Sequence, residues 1–362
     1  MEQEESRKRR FCNKKSLRIL LIVFLSLICL ACVLLLLCAG LFLHYYSLLD
    51  YREADLSHSR LPDGEVSDIL EDLYEEEPFA PEESEIPEES RVMLDESIED
   101  AIKDPVDPPE EEREAISHIL VIGMDVTGVD KRARSDVMIV VSVNENTGRI
   151  VLTSLLRDVY LSIPDYPNNR LNAAFALGGV GLLQNTLKAN FGIEIDRYVA
   201  IDFSAFTAII DTLGGIDLTL TEDDCKNVFP GQNKQPGVYR LDGQHALTYA
   251  RWRKGASDFE RTERQRTLMT TVINRMLGMS ISELTDVMET TFPMVRTDLT
   301  EWDCLSILMN AGDLTDYEID NQRIPFAGTW EYVTINRKSV LTLDLEENRR
   351  LFFESVLKNK AE

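Results

Sequence analysis

Apolar residues form one long uninterrupted run near the start of the chain, followed by many shorter runs of two kinds. Short β-branched runs predict strands, and longer runs with helical spacing predict helices. The predicted strands are Ile119–Met124, Val137–Val143, Arg149–Leu155, Tyr198–Ile201, Ile216–Leu220 and Glu331–Ile335. The predicted helices are Asn172–Asn190, Ser204–Leu213, one beginning near Asp258, Thr300–Ala311 and Asp344–Lys358. Because strands alternate with helices, we expect an α/β domain with a central mixed β-sheet and helices on both faces.

The long apolar run covers residues 19–43, which are 25 residues without a charge. A helix of this length exceeds the ~30 Å hydrocarbon core of a bilayer, so the run predicts a single transmembrane helix. Basic residues precede the run, which predicts a single-pass protein of the cell membrane. Residues 1–18 would be cytoplasmic and the C-terminal domain extracellular. The alternative is a cleaved signal peptide, but the run is longer than a typical apolar signal region and lacks an obvious small-x-small cleavage site.

The segment 44–115 is acidic and rich in proline. From Asp50 to Ala115 it holds 26 Asp and Glu against five Arg and Lys, with seven of the thirteen prolines. Such a composition buries little apolar surface and its charges repel each other, so it predicts a disordered extracellular stalk. Residues 116–362 remain for one folded extracellular domain. Most of the formal net charge of −25 therefore belongs to the stalk.

Two cysteines, Cys225 and Cys304, lie beyond the apolar run. In an oxidising compartment they could form a disulfide, but a single pair at this separation leaves the question open. Neither CxxC nor His/Cys spacing typical of zinc sites occurs.

A basic stretch runs from His245 to Arg266 in this acidic protein. The spacing Ser257-x-x-Glu260 predicts a helix start near Asp258, and the apolar stripe of that helix, followed backwards, reaches Gln265 and Arg261. An inward arginine in a first turn is costly unless it meets an anion. It predicts either a bound anionic ligand or a buried ion pair with a carboxylate.

Charged residues flank the hairpin predicted around Asn144–Gly148. Pairing across its turn places Arg134 and Asp136 beside Arg157 and Asp158, and an adjacent strand would bring Asp125 to the same sheet edge. Paired carboxylates without histidine suit a hard cation such as Mg²⁺, with Mn²⁺ as a substitute, and arginines beside it suit a phosphate. The alternative is an exposed Arg–Asp cluster that caps strand ends.

Eight motifs now occur in a characteristic order. They are Gly123-Met124-Asp125, Arg134-Ser135-Asp136-Val137-Met138, Arg157-Asp158, Arg170-Leu171-Asn172-Ala173-Ala174-Phe175, Asp211-Thr212-Leu213-Gly214-Gly215-Ile216, Leu241-Asp242-Gly243-Gln244-His245-Ala246-Leu247, Tyr249-Ala250-Arg251-Trp252-Arg253 and the run from Asp258 to Arg266. With this series the chain from about Ser117 onward resembles the LytR-CpsA-Psr family of Gram-positive-type bacteria. It departs in having Leu156 at a usual proline, Arg170 at a usual lysine and Val137 at a usual threonine.

The resemblance implies a Mg²⁺-dependent extracytoplasmic phosphotransferase. It would move a glycopolymer, such as a teichoic acid or a capsular chain, from a polyprenyl pyrophosphate carrier to peptidoglycan, usually to N-acetylmuramic acid, through a phosphodiester. By motif position Asp125 and Asp136 would bind the metal. The residues expected to bind the pyrophosphate and stabilise charge during transfer are Arg134, Arg157, Arg251, Arg253, Arg261 and Gln265.

The remaining site residues follow from the same resemblance. Arg170, Asn172 and Arg264 are expected to bind substrate. Asp158 and Asp258 are the alternatives for a general base, and a third alternative is that bond cleavage runs ahead and the substrate needs little help from a base. Leu268 and Val272 are candidates for the wall of an apolar tunnel that holds the polyprenyl chain, against the alternative of ordinary core. A hydrolase that uses water as acceptor and a membrane-anchored lipid-phosphate sensor without turnover are the rival functions. Nucleic-acid binding is disfavoured because the domain is net acidic and external.

Overall fold

The computed structural model describes residues 38–57, 60–74, 85–103, 108–109, 113, 116–125, 134–252, 258–314 and 316–358. The chain divides into two compact units, Met1–Leu48 and Leu49–Glu362. In the first unit a helix covers residues 38–46. Among the described residues there is no helix both long and apolar enough to cross a bilayer. Residues 19–37 of the predicted transmembrane helix lie outside them.

The second unit is built on a seven-stranded mixed sheet. The strands are β1 (Asp50–Tyr51), β2 (Ile116–Asp125), β3 (Arg134–Asn144), β4 (Arg149–Leu155), β5 (Tyr160–Ile163), β6 (Tyr166–Arg170), β7 (Arg197–Asp202), β8 (Ile216–Leu220), β9 (Gly237–Leu241), β10 (Arg296–Thr297), β11 (Glu318–Ile324), β12 (Trp330–Ile335) and β13 (Lys338–Leu343). The large sheet has the order β1-β10-β7-β2-β3-β4-β11, and β5–β6, β8–β9 and β12–β13 form separate pairs. β2, β3 and β4 are antiparallel neighbours, whereas β7 runs parallel to β2 and β11 parallel to β4.

Helices cover both faces of this sheet. They are α1 (Asp63–Tyr74), α2 (Glu88–Lys103), α3 (Leu171–Phe191), α4 (Phe203–Thr212), α5 (Glu222–Val228), α6 (Gly243–Arg251), α7 (Asp258–Leu277), α8 (Ile281–Thr291), α9 (Glu301–Leu314) and α10 (Leu345–Leu357). Gly178 and Gly179 have non-helical backbone angles and kink α3.

The continuous apolar runs arise because successive strand residues are buried on opposite faces. Leu120 and Ile122 enter the larger core with α3 and α10, while Val121 packs on the other side with Met269 of α7. The prediction of an α/β domain with a mixed, doubly covered sheet is therefore confirmed.

The acidic segment contains two helices that belong to this core. Leu73 of α1 and Ile98 of α2 are 5% and 6% exposed, and both join the larger apolar cluster. The Tyr160 hydroxyl donates to Asp95 of α2 at 3.2 Å. The prediction of a disordered stalk is thus wrong for α1 and α2, because their few apolar residues are spaced to lie on one helix face that packs against the domain.

Cys225 and Cys304 are both free. Cys225 is buried in the small apolar cluster between the β8–β9 pair and α4 to α6, and Cys304 lies on α9. The possible disulfide is therefore not formed, and Cys225 contributes as a small apolar side chain.

His118 on β2 predicts a pH-dependent stability. Burial lowers the pKa of its ring to about 4, and its Nδ1 lies 2.9 Å from Ser142 Oγ. Because the folded pKa lies below the unfolded value of about 6.5, this stabilisation is complete above pH 6.5 and is lost as the pH falls to about 4. We expect the free energy of unfolding to decrease by about 3 kcal/mol across that window from this residue. Urea titrations at pH 7 and pH 4.5 should show a smaller decrease in the free energy of unfolding for His118→Gln than for the native protein.

His245, whose side chain is exposed, provides the matched control. His245→Gln should retain the decrease in stability that His118 causes between pH 7 and pH 4.5, because the substitution on α6 leaves the buried ring of His118 on β2 in place. An equal decrease in the free energy of unfolding between pH 7 and pH 4.5 for the native protein and His118→Gln would contradict this role of the buried His118 ring.

Candidate active site

The carboxyl ends of β2, β4 and β7 and the start of β3 meet at one edge of the large sheet. In the hairpin Ile139 pairs with Ser154, one residue from the register that the sequence predicted. Asp125 pairs with Arg134 across β2 and β3, which confirms their predicted placement at this edge. The side chains of these two residues lie outside the described part of the chain.

An alternating series of charges follows this edge. Arg157 Nη1 donates to Asp136 Oδ1 at 2.8 Å, and Arg157 Nε lies 3.6 Å from Asp158 Oδ1. Asp158 Oδ1 also lies 3.4 Å from Nη1 of Arg170, whose side chain is almost fully buried. Arg170 Nη2 donates to the Ser339 carbonyl at 2.5 Å, which anchors the series in the β12–β13 pair. Asp158 is therefore placed to hold two guanidinium groups in position.

A cavity of about 380 Å³ opens beside Arg157. Its polar lining consists of Asp136, Arg157, Asp202, Arg251, Arg261 and Gln265. Its apolar lining includes Val121, Val137, Ile139, Ile201, Phe206, Leu247, Leu268 and Met269, together with Leu73 from α1. A charged region therefore adjoins an apolar wall within one cavity.

Helix α7 contributes one of the arginines that line the cavity. It begins at Asp258 as predicted, while Ser257, the expected cap, lies outside the described residues. Arg261 is 3% exposed and lines the cavity, as the backward projection of the apolar stripe predicted. Gln265, one turn later, donates through Nε2 to the Ala250 carbonyl at 3.4 Å. The inward position of Arg261 is confirmed.

Helix α6 ends at the same cavity. Arg251 is its last residue, and the guanidinium of Arg251 lies 4.4 Å from the centroid of the Phe203 ring. Arg253 and the side chain of Asp258, also predicted for the site, lie outside the part that the structure describes.

The remaining predicted residues are only partly brought to the cavity. Leu268 lines it, whereas Val272 packs in the small apolar cluster with Leu268 and is not among the described lining residues. Arg264 turns away, donates to the Trp252 carbonyl at 2.5 Å and stacks on the Trp252 ring. Asn172 lies behind Arg157 and donates its backbone N–H to the Arg157 carbonyl at 3.2 Å.

Arg170 lines a different cavity, of about 450 Å³, together with Tyr160, Asn168 and Lys338. In the described structure Arg170, Asn172, Arg264 and Val272 therefore lie around the main cavity rather than in its wall. They were expected to contact substrate because motif position does not reveal which side of a helix or loop faces the cavity.

Sequence reasoning missed Asp202 and Phe203. Asp202 ends β7, pairs in register with Met124 and caps α4 by accepting the Ala205 N–H at 2.8 Å. A signal was present, because a short predicted strand followed by Asp-Phe-Ser is typical of a strand leading into a capped helix. Its parallel pairing with β2, which brings Asp202 to the site, was not readable from the pattern.

The donor set fits a magnesium ion. The Asp136 and Asp202 carboxylates line one cavity and Asp125 ends the neighbouring strand, so hard oxygen ligands gather at this edge. Within the described residues no cluster of three or more His, Cys, Asp or Glu is assembled. Mg²⁺ takes one or two carboxylates from a protein and keeps water and phosphate oxygens for its other positions, so the Asp136 and Asp202 carboxylates are a suitable donor set.

Two curated relatives each match about two thirds of this chain. The regulatory protein MsrR of Staphylococcus aureus is 30% identical over 237 residues, which are 64% of this chain and 72% of that protein. A polyisoprenyl-teichoic acid–peptidoglycan teichoic acid transferase, TagU of Oceanobacillus iheyensis, is 31% identical over 65% of this chain and 78% of that protein.

Solved structures share the fold. A Streptococcus agalactiae protein superposes with a TM-score of 0.58 at 22% identity, over 72% of this chain and 91% of that one. TagT bound to LIIa-WTA superposes with a TM-score of 0.56 at 23% identity, over 70% of this chain and 93% of that one. The sequence profile of the LytR_cpsA_psr family matches residues 86–350. The chain belongs to the LytR_cpsA_psr family.

Proposed function

We propose that this protein transfers a glycopolymer, a teichoic acid or similar cell-wall polymer, from a polyprenyl pyrophosphate carrier to peptidoglycan. The observation that carries the proposal is the two-part cavity, in which Arg157, Arg251 and Arg261 adjoin a wall of apolar side chains. A lipid pyrophosphate has the same two parts, a polyanionic head and an apolar chain. The transferase named TagU, which is similar over 65% of this chain, supports the same reaction class.

In the proposed reaction an acceptor sugar hydroxyl attacks the phosphorus that carries the glycan. A new P–O bond forms to the acceptor, the bridging P–O bond of the pyrophosphate breaks, and polyprenyl phosphate leaves with the electron pair. The barrier is dominated by placement and by the negative charge of the phosphoryl group. Arg157 in the turn after β4, Arg251 of α6 and Arg261 of α7 would bind the phosphate oxygens. Their positive charges would oppose the negative charge of the phosphoryl group.

The hydroxyl proton requires an acceptor, and Asp158 is poorly suited to that role. Its carboxylate lies against both Arg157 and Arg170 and is not among the described residues of the cavity wall. We assign Asp158 to positioning Arg157. Asp258 remains the other candidate for the base.

Magnesium would be held by Asp136 and Asp125, with Asp202 as a further carboxylate at the same edge. The ion would supply positive charge to the pyrophosphate oxygens. In this arrangement Arg157 keeps Asp136 in place through the 2.8 Å hydrogen bond.

The anchored topology is part of the proposal. The uncharged run 19–43 with basic residues on its N-terminal side supports a single membrane helix, a cytoplasmic N-terminus and an extracellular domain. Alkaline carbonate extraction of membranes and protease digestion of intact cells would test it. Release by carbonate, or protection of the C-terminal domain in intact cells, would contradict it.

The function is tested with the purified chain, Mg²⁺ and a polyprenyl pyrophosphate-linked oligosaccharide, with and without peptidoglycan fragments. We expect mass spectrometry to detect the acceptor joined to the oligosaccharide by a phosphodiester, and chelation by EDTA to abolish the product. Release of phosphorylated oligosaccharide at the same rate without acceptor would instead show a hydrolase. Lipid binding without either product would show a sensor.

A further inference from the structure

Two arginines face each other between α7 and β11, apart from the described wall of the main cavity. Thr270 Oγ1 of α7 donates to Asn321 Oδ1 of β11 at 3.4 Å, which sets the helix against the strand. Arg266 precedes Thr270 by four residues, a rise of about 6 Å along a helix, and Arg323 follows Asn321 by two residues, a similar rise of about 7 Å along a strand. The guanidinium of Arg323 also lies against the ring of Phe259 in the first turn of α7, so the helix runs opposite to β11 and brings Arg266 beside Arg323.

Buried polar atoms without a partner gather at this place. Arg266 is only 8% exposed, and its Nη1 has no hydrogen-bond partner among the described residues. The same holds for Arg323 Nε and for the hydroxyl of Ser154, which is 2% exposed. Ser154 is the register partner of Arg323 in the parallel strands β4 and β11, so both side chains point to the α7 face.

The two guanidinium groups oppose each other electrostatically. Burial and the charge of Arg323 both lower the pKa of Arg266, and the carboxylate of Glu263 compensates only in part. A like-charged pair with unfilled hydrogen-bonding capacity destabilises the fold by itself. An anion between the two groups would remove the repulsion and fill the donors.

Aromatic rings extend from this pair to the surface. The guanidinium of Arg323 lies 4.6 Å from the centroid of the Phe259 ring. Phe259 contacts Trp330 with 4.5 Å between ring centroids, and Trp330 contacts Tyr332 at 5.4 Å, with Tyr332 47% exposed. Flat aromatic faces beside cations favour a ligand that has both apolar C–H faces and a negative charge, which describes an acidic or phosphorylated sugar.

The Arg266–Arg323 pair lies at the same edge of the large sheet as the main cavity. Arg323 lies near the carboxyl end of β11, which runs parallel to β4 and therefore ends at the same sheet edge as the main site. β11 is two strands from β3, which carries Asp136, a separation of about 10 Å between strand axes. A short oligosaccharide can span this distance.

We propose that Arg266 and Arg323, with the Ser154 hydroxyl, form a second oxyanion site that binds a negatively charged group on a sugar unit of the substrate. The rings of Trp330 and Tyr332 pack against the sugar. The inference rests on the proposed function, since it gives that function a glycan subsite. The group bound is a phosphate or a carboxylate.

The test measures binding of sugars that lack a pyrophosphate. Calorimetry of the full chain would use a phosphodiester-containing disaccharide, a glucuronic acid-containing disaccharide and a neutral N-acetylhexosamine disaccharide as probes. We expect one or both charged disaccharides to bind more tightly than the neutral one, and Arg266→Gln and Arg323→Gln each to weaken that binding by roughly 10- to 100-fold. Which charged disaccharide binds more tightly distinguishes phosphate from carboxylate.

A stability measurement separates this role from a structural one. Because removal of one charge relieves the repulsion, Arg266→Gln should leave the melting temperature of the ligand-free protein unchanged or raise it. Arg275→Gln is the matched control, since Arg275 lies on the same helix with its side chain 40% exposed and pairs with Glu283 at 3.8 Å. This control should bind the charged disaccharide normally.

Two results would overturn the subsite. One is equal binding of the charged disaccharides by the native protein and both glutamine variants. The other is a large loss of stability in Arg266→Gln, which would show that the arginine has a structural partner. Binding does not require turnover, so failure of the transferase assay with intact arginine-dependent binding would reject the proposed reaction and leave the subsite standing.

Discussion

Arg157→Ala should lower the rate of glycopolymer transfer by roughly 10²–10³-fold, the effect of removing one donor to developing charge in an enzyme site. The side chain lines the cavity, and the rest of the chain holds it from both sides through Asp136 and Asp158. Loss of the guanidinium also leaves Asp136 without that partner, so the carboxylate proposed to bind metal loses its orientation. The measurement is the rate of phosphodiester product formation at saturating lipid substrate.

Two further variants make the result specific. Arg157→Lys keeps a positive charge but cannot reach Asp136 and Asp158 from one planar group, so its rate should lie between those of the native protein and the alanine variant. Arg240→Ala removes an exposed arginine that donates to the Gly214 carbonyl at 2.7 Å away from the cavity, and it should be fully active. A normal rate for a folded Arg157→Ala protein would remove the main support for the proposed chemistry.

Deletion of residues 1–115, the part that the sequence assigned to anchor and stalk, should prevent the domain from folding. The deletion removes Leu73 and Ile98, which are almost fully buried, and each such side chain contributes about 1.5–3 kcal/mol. Partly buried residues of the same helices, Val66, Ile69, Leu70, Leu94, Ala101 and Ile102, pack against the same core. The total loss is on the order of 10 kcal/mol, which is comparable to the whole stability of a typical domain.

Circular dichroism and thermal unfolding of two shortened chains would check this result. The chain that begins at residue 49 retains the complete second unit and should unfold cooperatively, whereas the chain that begins at residue 116 should aggregate or lack a transition. In the longer chain Leu73→Ala should cost about 2–5 kcal/mol and also alter the cavity wall. Equal melting temperatures for the two shortened chains would show that α1 and α2 are dispensable.

The involvement of α1 has a functional consequence. Leu73 contributes to the wall of the main cavity although it lies in the segment closest in sequence to the predicted membrane helix. The acidic segment therefore contributes to the wall of the cavity and also connects the predicted membrane helix to the folded domain. Its high charge concealed this role, since the apolar residues that pack are few and the composition as a whole is typical of disorder.

Much of the site followed from local pattern and register. The β3–β4 hairpin was predicted within one residue, because its strands are adjacent in sequence and a short turn fixes their pairing. That register was enough to bring Asp136 beside Arg157. The inward direction of Arg261 likewise followed from helical periodicity within α7.

Contacts between segments far apart in the chain could not be predicted from the sequence in this way. The pairing of β7 with β2 brings Asp202 to the site, and the pairing of β11 with β4 brings Arg323 opposite Arg266. These pairings depend on the packing of the whole sheet. Arg170 illustrates the same limit. Its motif position predicted that it binds substrate, whereas in the fold it pairs with Asp158 and lines a second cavity.

By itself the sequence determined the α/β class, the positions of the main strands and helices, the family and most of the charged residues at the sheet edge. These depend on spacing within one element or across one short turn, where geometry follows directly from residue order. Only the tertiary structure decided that Arg170 and Arg264 turn away from the cavity, that α1 and α2 join the core, and that two arginines meet between α7 and β11. Those outcomes depend on contacts between residues far apart in the chain, whose free energies are set by packing and burial rather than by any local pattern.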